Sequence, residues 1–263
     1  MLRTISRSRL ASRKWAAPCF GAVILALNAV TASEAPHLAT PEARPTTIAT
    51  NDYMFGVVKL DKNKRAASFP AVINQRTGIV EYAVVTAAGK THESIFRTEA
   101  QPVHVHVAML LLGAKPASTN FRANDISIPP PGEPVTVEVS WTDGSRVIRR
   151  ALEELIVTSN GNRALAAGPW AYNGSYLMRR TFAAQREGSI VSVHIDPDAL
   201  VNNPRPGREH DELHWVNTRL LPADEVPVEI TLRLPTEAPT GAPTAAAPNP
   251  NPATPVAEHS RKP

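Results

Sequence analysis

One cysteine is present in 263 residues, and aromatic side chains make up only 5%. Cys19 lies in an apolar stretch near the start of the chain, so the rest has no thiol for a disulfide, a cysteine-ligated zinc site or an iron–sulfur cluster. Stability must come from an ordinary apolar core. No apolar run of 18 residues follows residue 32. The chain also lacks a Gly-x-Ser-x-Gly elbow, a His-Glu-x-x-His pair and a phosphate-binding loop, so the best-marked hydrolase, metalloprotease and nucleotide-binding classes have no signature here.

The first 32 residues have the layout of a secretory signal peptide. Arg3, Arg7, Arg9, Arg13 and Lys14 form a basic start without acidic residues, and apolar residues dominate 20–27. Val30 and Ala32 supply small side chains for cleavage before Ser33. The alternative is an uncleaved anchor, for which residues 15–32 are barely long enough. The whole chain carries 28 basic and 24 acidic side chains; with the leader's five basic residues gone, 23 face 24. The sequence pI of 9.4 is therefore largely the leader's. No basic excess remains to neutralise phosphates, and no nucleic-acid partner is expected. The expected setting is secreted, periplasmic or cell-envelope, with membrane contact only through an uncleaved leader.

Composition divides the remainder. Residues 33–50 are rich in Ala, Thr, Pro and Glu and read as a linker. Residues 235–263 hold eight prolines and no Ile, Leu, Phe, Tyr or Trp, a composition that cannot offset its ordering entropy and predicts a disordered tail. Residues 51–234 suit a single domain. Strand patterns dominate it. Val135, Val137, Val139 and Trp141 alternate with polar neighbours, as do Val228, Ile230, Leu232 and Leu234. Hairpins are predicted around Asp61-Lys-Asn-Lys64, around Ala87-Ala-Gly-Lys90 and at Asp143-Gly144. One helix is predicted over 102–112, opened by Pro102 and closed by Gly113, with Val103, Val107, Leu110 and Leu111 on one face. The expected fold class is α+β, mostly β: a twisted antiparallel sheet or sandwich with one main helix packed on it.

Histidines and carboxylates supply the candidate ligand-binding residues: His92, Glu93, His104, His106, Asp196, Asn202, Asn203 and Asp211. On a strand, His104 and His106 would share a face and could hold a metal; on the predicted helix they diverge by roughly 200°. His92 meets His104 if the helix returns over the sheet. Asp196-Pro197 reads as the cap and first turn of a short helix ending at Asn202-Asn203, or as a binding loop. Residues 205–214 mix Glu209, His210, Asp211, Glu212 and His214, which suits a solvated loop or a cation site. Trp170 and Tyr172 read as core aromatics on a strand or as walls of a groove.

Gly89-Lys-Thr-His-Glu-Ser94, His104-Val-His-Val-Ala-Met-Leu-Leu-Leu-Gly-Ala114, Asp196-Pro-Asp-Ala-Leu-Val-Asn-Asn-Pro204 and Trp215-Val-Asn217 resemble the YdjY-like domain family across roughly residues 55–234. The resemblance implies an envelope setting and assigns no chemistry. A ferredoxin-like label attached to that family does not transfer, because a cluster needs about four thiolates. The functional expectation is a non-catalytic binding or structural module with an envelope partner or small ligand and no cofactor. The alternative is a metal-dependent or acid–base enzyme built on the histidines and carboxylates.

Overall fold

The computed structural model describes residues 41–117, 128–158 and 163–236. The expected leader, residues 33–40 of the expected linker and all but two residues of the expected tail lie outside the described residues. Eight strands form a ring: β1 Ala66–Ile73, β2 Tyr82–Thr86, β3 Ser94–Thr98, β4 Glu133–Asp143, β5 Trp170–Tyr172, β6 Ser189–Ser192, β7 Val201–Asn202 and β8 Pro227–Arg233. Their spatial order is β1-β8-β4-β5-β7-β6-β2-β3, and β3 pairs back onto β1. This is a closed barrel. Closure leaves the ring without an open edge, which an open sheet would have to protect.

The closure corrects the expected twisted sheet or sandwich; the mostly-β character stands. Alternation along β4 and β8 tells which side chains are buried, and the structure buries Val135, Val137 and Val139 on one strand and Val228, Ile230 and Leu232 on the other. A sandwich strand and a barrel strand carry the same alternation, so the pattern does not separate them. What decides is β1. Its first half pairs with Val58–Asp61, through Lys59 with Ser68 and Leu60 with Ala67. Its second half pairs on that same side with β3, through Val72 with Arg97 and Ile73 with Phe96. Pro70, which has no N–H to give a ladder, stands at the changeover. Asn74 then ties the seam, its Nδ2 donating to the carbonyls of Thr91 at 2.6 Å and Ser94 at 2.8 Å.

Two joints of the ring are parallel, β2 with β3 and β6 with β7. The first corrects the hairpin expected around Ala87-Ala-Gly-Lys90: residues 87–93 carry the chain back so that Tyr82 faces Ser94 and Thr86 faces Thr98. Strand β2 is buried at all five positions. Strands covered on both faces read as continuous apolar runs, and Tyr-Ala-Val-Val fits that description. The other two expected hairpins form, around 62–65 and around Gly144-Ser145. Outside the ring, Thr46–Ala49, Asp52–Phe55 and Val58–Asp61 extend the sheet from β1, and Thr46–Ala49 falls within the segment read as linker.

Helix α1, Pro102–Leu111, forms where expected, but its buried face differs. Val105, Ala108 and Met109 are fully buried, packed with the outer strands and β1, while Leu110 and Leu111 are 41% and 51% exposed. The helix is apolar nearly all round, so periodicity could not say which stripe faces inward. The short helix expected after Asp196 is absent; residues 197–200 make a turn, and Val201–Asn202 is strand β7.

Removing the Asn74 amide should open the seam. Asn74→Ala loses two partly buried hydrogen bonds, a cost of about 2 kcal/mol in chemical denaturation. Amide exchange should accelerate first at Phe96 and Arg97; a loss under roughly 0.5 kcal/mol would contradict this account of closure.

Candidate functional site

The first turn of α1 is tied to a second helix, α2, of five residues, Ala183–Glu187. Gln185 Oε1 accepts the Val103 N–H at 3.2 Å, an otherwise orphaned donor of the first turn, and Gln185 Nε2 donates to Gln101 Oε1 at 2.6 Å. A hairpin of two short strands, Leu177–Met178 and Thr181–Phe182, leads into α2. Ser175 fixes the start of this excursion, donating to the Asp198 carbonyl at 2.8 Å and accepting the Ala184 N–H at 3.0 Å.

Between α1 and the hairpin lies a groove of about 350 Å³, walled by Val103, His106, Pro116, Tyr176, Leu177 and Phe182. Gly174 lets these walls meet: a Cβ there would come within 2.6 Å of Pro116 Cβ and 3.2 Å of His106 Cε1. The His106 ring lies 4.9 Å from that of Phe182 and 6.0 Å from that of Tyr172, centroid to centroid. Tyr172 Oη is 2.8 Å from His106 Nδ1. With the hydroxyl donating there, the ring proton sits on Nε2, which has no protein partner among the described residues. Burial holds the imidazole down to about 4, so it is neutral at pH 7. The Tyr176 hydroxyl is pushed up to about 12 by its hydrogen bond to Asp198. The groove is thus an uncharged, largely apolar surface with one imidazole as its central polar group.

His104 goes elsewhere. Its Nε2 donates to the Glu42 carbonyl at 3.4 Å, and its ring occupies space that a Cβ on Gly56 would fill, 2.8 Å from Nδ1. The two helix histidines therefore serve different neighbours and share no ligand position. His92 is 79% exposed, 3.6 Å from Glu93 Oε2, and does not meet His104.

The polar candidates gather at the barrel rim. Asn202 is fully buried and fully used: it donates to the Asp196 carbonyl at 2.8 Å and Asn173 Oδ1 at 2.9 Å, and its Oδ1 accepts the Asp196 N–H at 2.8 Å. Asn203 donates to the Val193 carbonyl at 3.1 Å and accepts the Arg205 N–H at 3.1 Å. The Asp196 carboxylate takes the Asp198 N–H at 2.9 Å and the Tyr82 hydroxyl at 3.0 Å, while Lys90 Nζ donates to Tyr82 Oη at 2.7 Å. Burial pushes Asp196 upward, and burial with the Asp196 carboxylate pushes Tyr82 far upward. Glu81, beside Glu93, is raised chiefly by burial. His194 and Asp211 meet at 3.0 Å. Lys90, Tyr82, Glu81 and His194 were not singled out from the sequence; Gly89-Lys90 read as a turn, and nothing in their spacing joins them.

Residues 205–214 are not wholly solvated. Arg205 and Arg208 are buried, and His214 is 1% exposed with no partner for Nε2. Burial holds His214 down to about 4, helped by His194 and His210. Among the described residues, no three His, Cys, Asp or Glu side chains gather closely enough to hold a metal ion.

A family model for the YdjY domain matches residues 58–233. The chain belongs to the YdjY domain family. No curated protein and no solved structure matches it. The matched span of the YdjY domain runs from the strand before β1 to the end of β8 and takes in the groove and the rim.

Two imidazoles of the YdjY domain should titrate near 4 by nuclear magnetic resonance, those of His106 and His214. Both are depressed from about 6.5, so the unfolded chain binds more protons between pH 6.5 and 4. Stability should be full above about 6.5 and fall as the pH drops through that window; titration of both rings near 6.5 would refute the burial argument.

Proposed function

We propose that this YdjY domain is a non-catalytic binding module of the cell envelope, exported by its leader, and that the groove beside α1 receives a small ligand. The observation that carries the reading is the wall chemistry: Val103, Pro116, Leu177 and Phe182 surround a neutral His106, held in place by Tyr172. Small-molecule sites are concave, mostly apolar and supplied with a few fixed polar groups. A half-buried neutral imidazole with one free nitrogen supplies one directional hydrogen bond without the desolvation penalty of a charge.

Catalysis finds less support at the rim. There the Asp196 carboxylate is already engaged by two donors, the Tyr82 hydroxyl and the Asp198 N–H. A general base needs a free, ionised group within reach of a substrate proton. The amides of Asn202 and Asn203 are likewise spent on holding backbone.

The neutral fluorescent probe N-phenyl-naphthylamine should bind with one site per chain. Leu177 is 73% exposed, so Leu177→Asp should leave folding intact while weakening the probe about tenfold, since apolar burial against the wall is lost. Absence of any saturable binding would end the groove reading.

A further inference from the structure

The hairpin that forms one wall of the groove turns on two arginines. Leu177 pairs with Phe182 and Met178 with Thr181, which leaves Arg179 and Arg180 as a two-residue loop. Their φ values are 47° and 70°. A tight loop with both central residues at positive φ is the type I′ arrangement, for which Asn-Gly is the comfortable choice. A side chain bearing Cβ is strained in that region, and here two consecutive bulky residues accept the strain. Both are exposed and make no ion pair among the described residues. The nearby Arg186 differs: it pairs with Glu187 at 2.5 Å and with Asp198 at 3.6 Å. Two unneutralised guanidiniums thus stand about two residues from the groove-lining Leu177 and Phe182.

The opposite wall continues the apolar surface. Leu110 lies one turn beyond His106 on α1, on the same side, and is 41% exposed. An apolar trough with an uncharged floor and a cationic lip is complementary to a molecule with an apolar body and one anionic end. Guanidiniums suit a carboxylate geometrically.

We infer that the groove binds a single-chain anionic amphiphile, its apolar portion lying between α1 and the Leu177–Phe182 pair and its carboxylate held by Arg179 and Arg180. The inference rests on the proposed groove reading and adds the class of ligand. It also gives a reason for the strained turn: the arginines sit where a relaxed Asn-Gly turn would remove both charges.

Decanoate and decanol share a chain and differ in the head. Each is titrated, below its micelle concentration, against the purified protein carrying N-phenyl-naphthylamine. Decanoate should displace the probe about tenfold more tightly than decanol at low salt, and the gap should shrink as salt rises. Arg179→Gln with Arg180→Gln should bring the two within about twofold while leaving the probe and decanol unchanged. Arg179→Asn with Arg180→Gly should lose decanoate in the same way and raise the melting temperature, because the turn relaxes. Equal displacement by the two compounds in the unaltered protein would overturn the anionic assignment and leave the groove standing. Failure of the probe and both compounds to bind would remove groove and inference together. Binding to anionic lipid vesicles without displacement by monomeric decanoate would overturn it in favour of a membrane-surface contact.

Discussion

Ring closure hangs on two residue pairs, Val72 with Arg97 and Ile73 with Phe96, because Ala66–Ile73 must serve two partners along one edge. If the upper part of that strand stayed with Val58–Asp61, the sheet would run on as an open ribbon and β3 would have nothing to close against. The changeover at Pro70 separates barrel from outer strands. The parallel joint of β2 with β3 goes with closure, since a ring of eight strands with one parallel joint, β6 with β7, needs a second for the strand directions to match all the way round. Closing two such short stretches yields few hydrogen bonds, and Asn74 adds side-chain bonds where the ladder is thinnest.

The rim solves a second difficulty. Strands β5 and β7 are only three and two residues long, too short to define a register by ladder alone. Asn173, Asn202 and Asn203 act as side-chain extensions of the sheet, joining β5, β7 and the turn at Asp196 through buried amide bonds. A fully satisfied buried network strengthens position and leaves little to offer a ligand. The same polar residue types that look like binding fingers in a sequence are here occupied in holding short strands in place.

What the sequence made legible was local. Alternation in β4 and β8 gave the buried side chains, and Pro102 and Gly113 gave the limits of α1. Partner choice was not legible, because β2 and β3 read as a hairpin when only their distance along the chain is considered. The buried stripe of α1 was not legible either, in a helix apolar on both sides. Of the candidate residues, His106 lines the groove, and its neighbours Pro116, Leu177 and Phe182 come from separate segments with no shared motif. Residues 205–214 misled through composition: charged side chains suggest solvent, yet Arg205 lies over the Trp170 ring at 5.0 Å and donates to the Gly168 carbonyl at 2.5 Å. A guanidinium with a flat aromatic beneath it and carbonyls around it is at home in the interior.

The groove's walls come from two excursions, residues 102–116 between β3 and β4 and residues 174–182 between β5 and β6. Neither belongs to a ring strand. Drift at their groove-lining positions therefore leaves untouched the pairing that closes the barrel, whereas drift at Val105, Ala108 and Met109, or in β1 or β3, does not. A fold arranged this way separates what it must keep from what it is free to vary. Copies of the domain that diverge after duplication would share a barrel and differ in the shape and polarity of this groove.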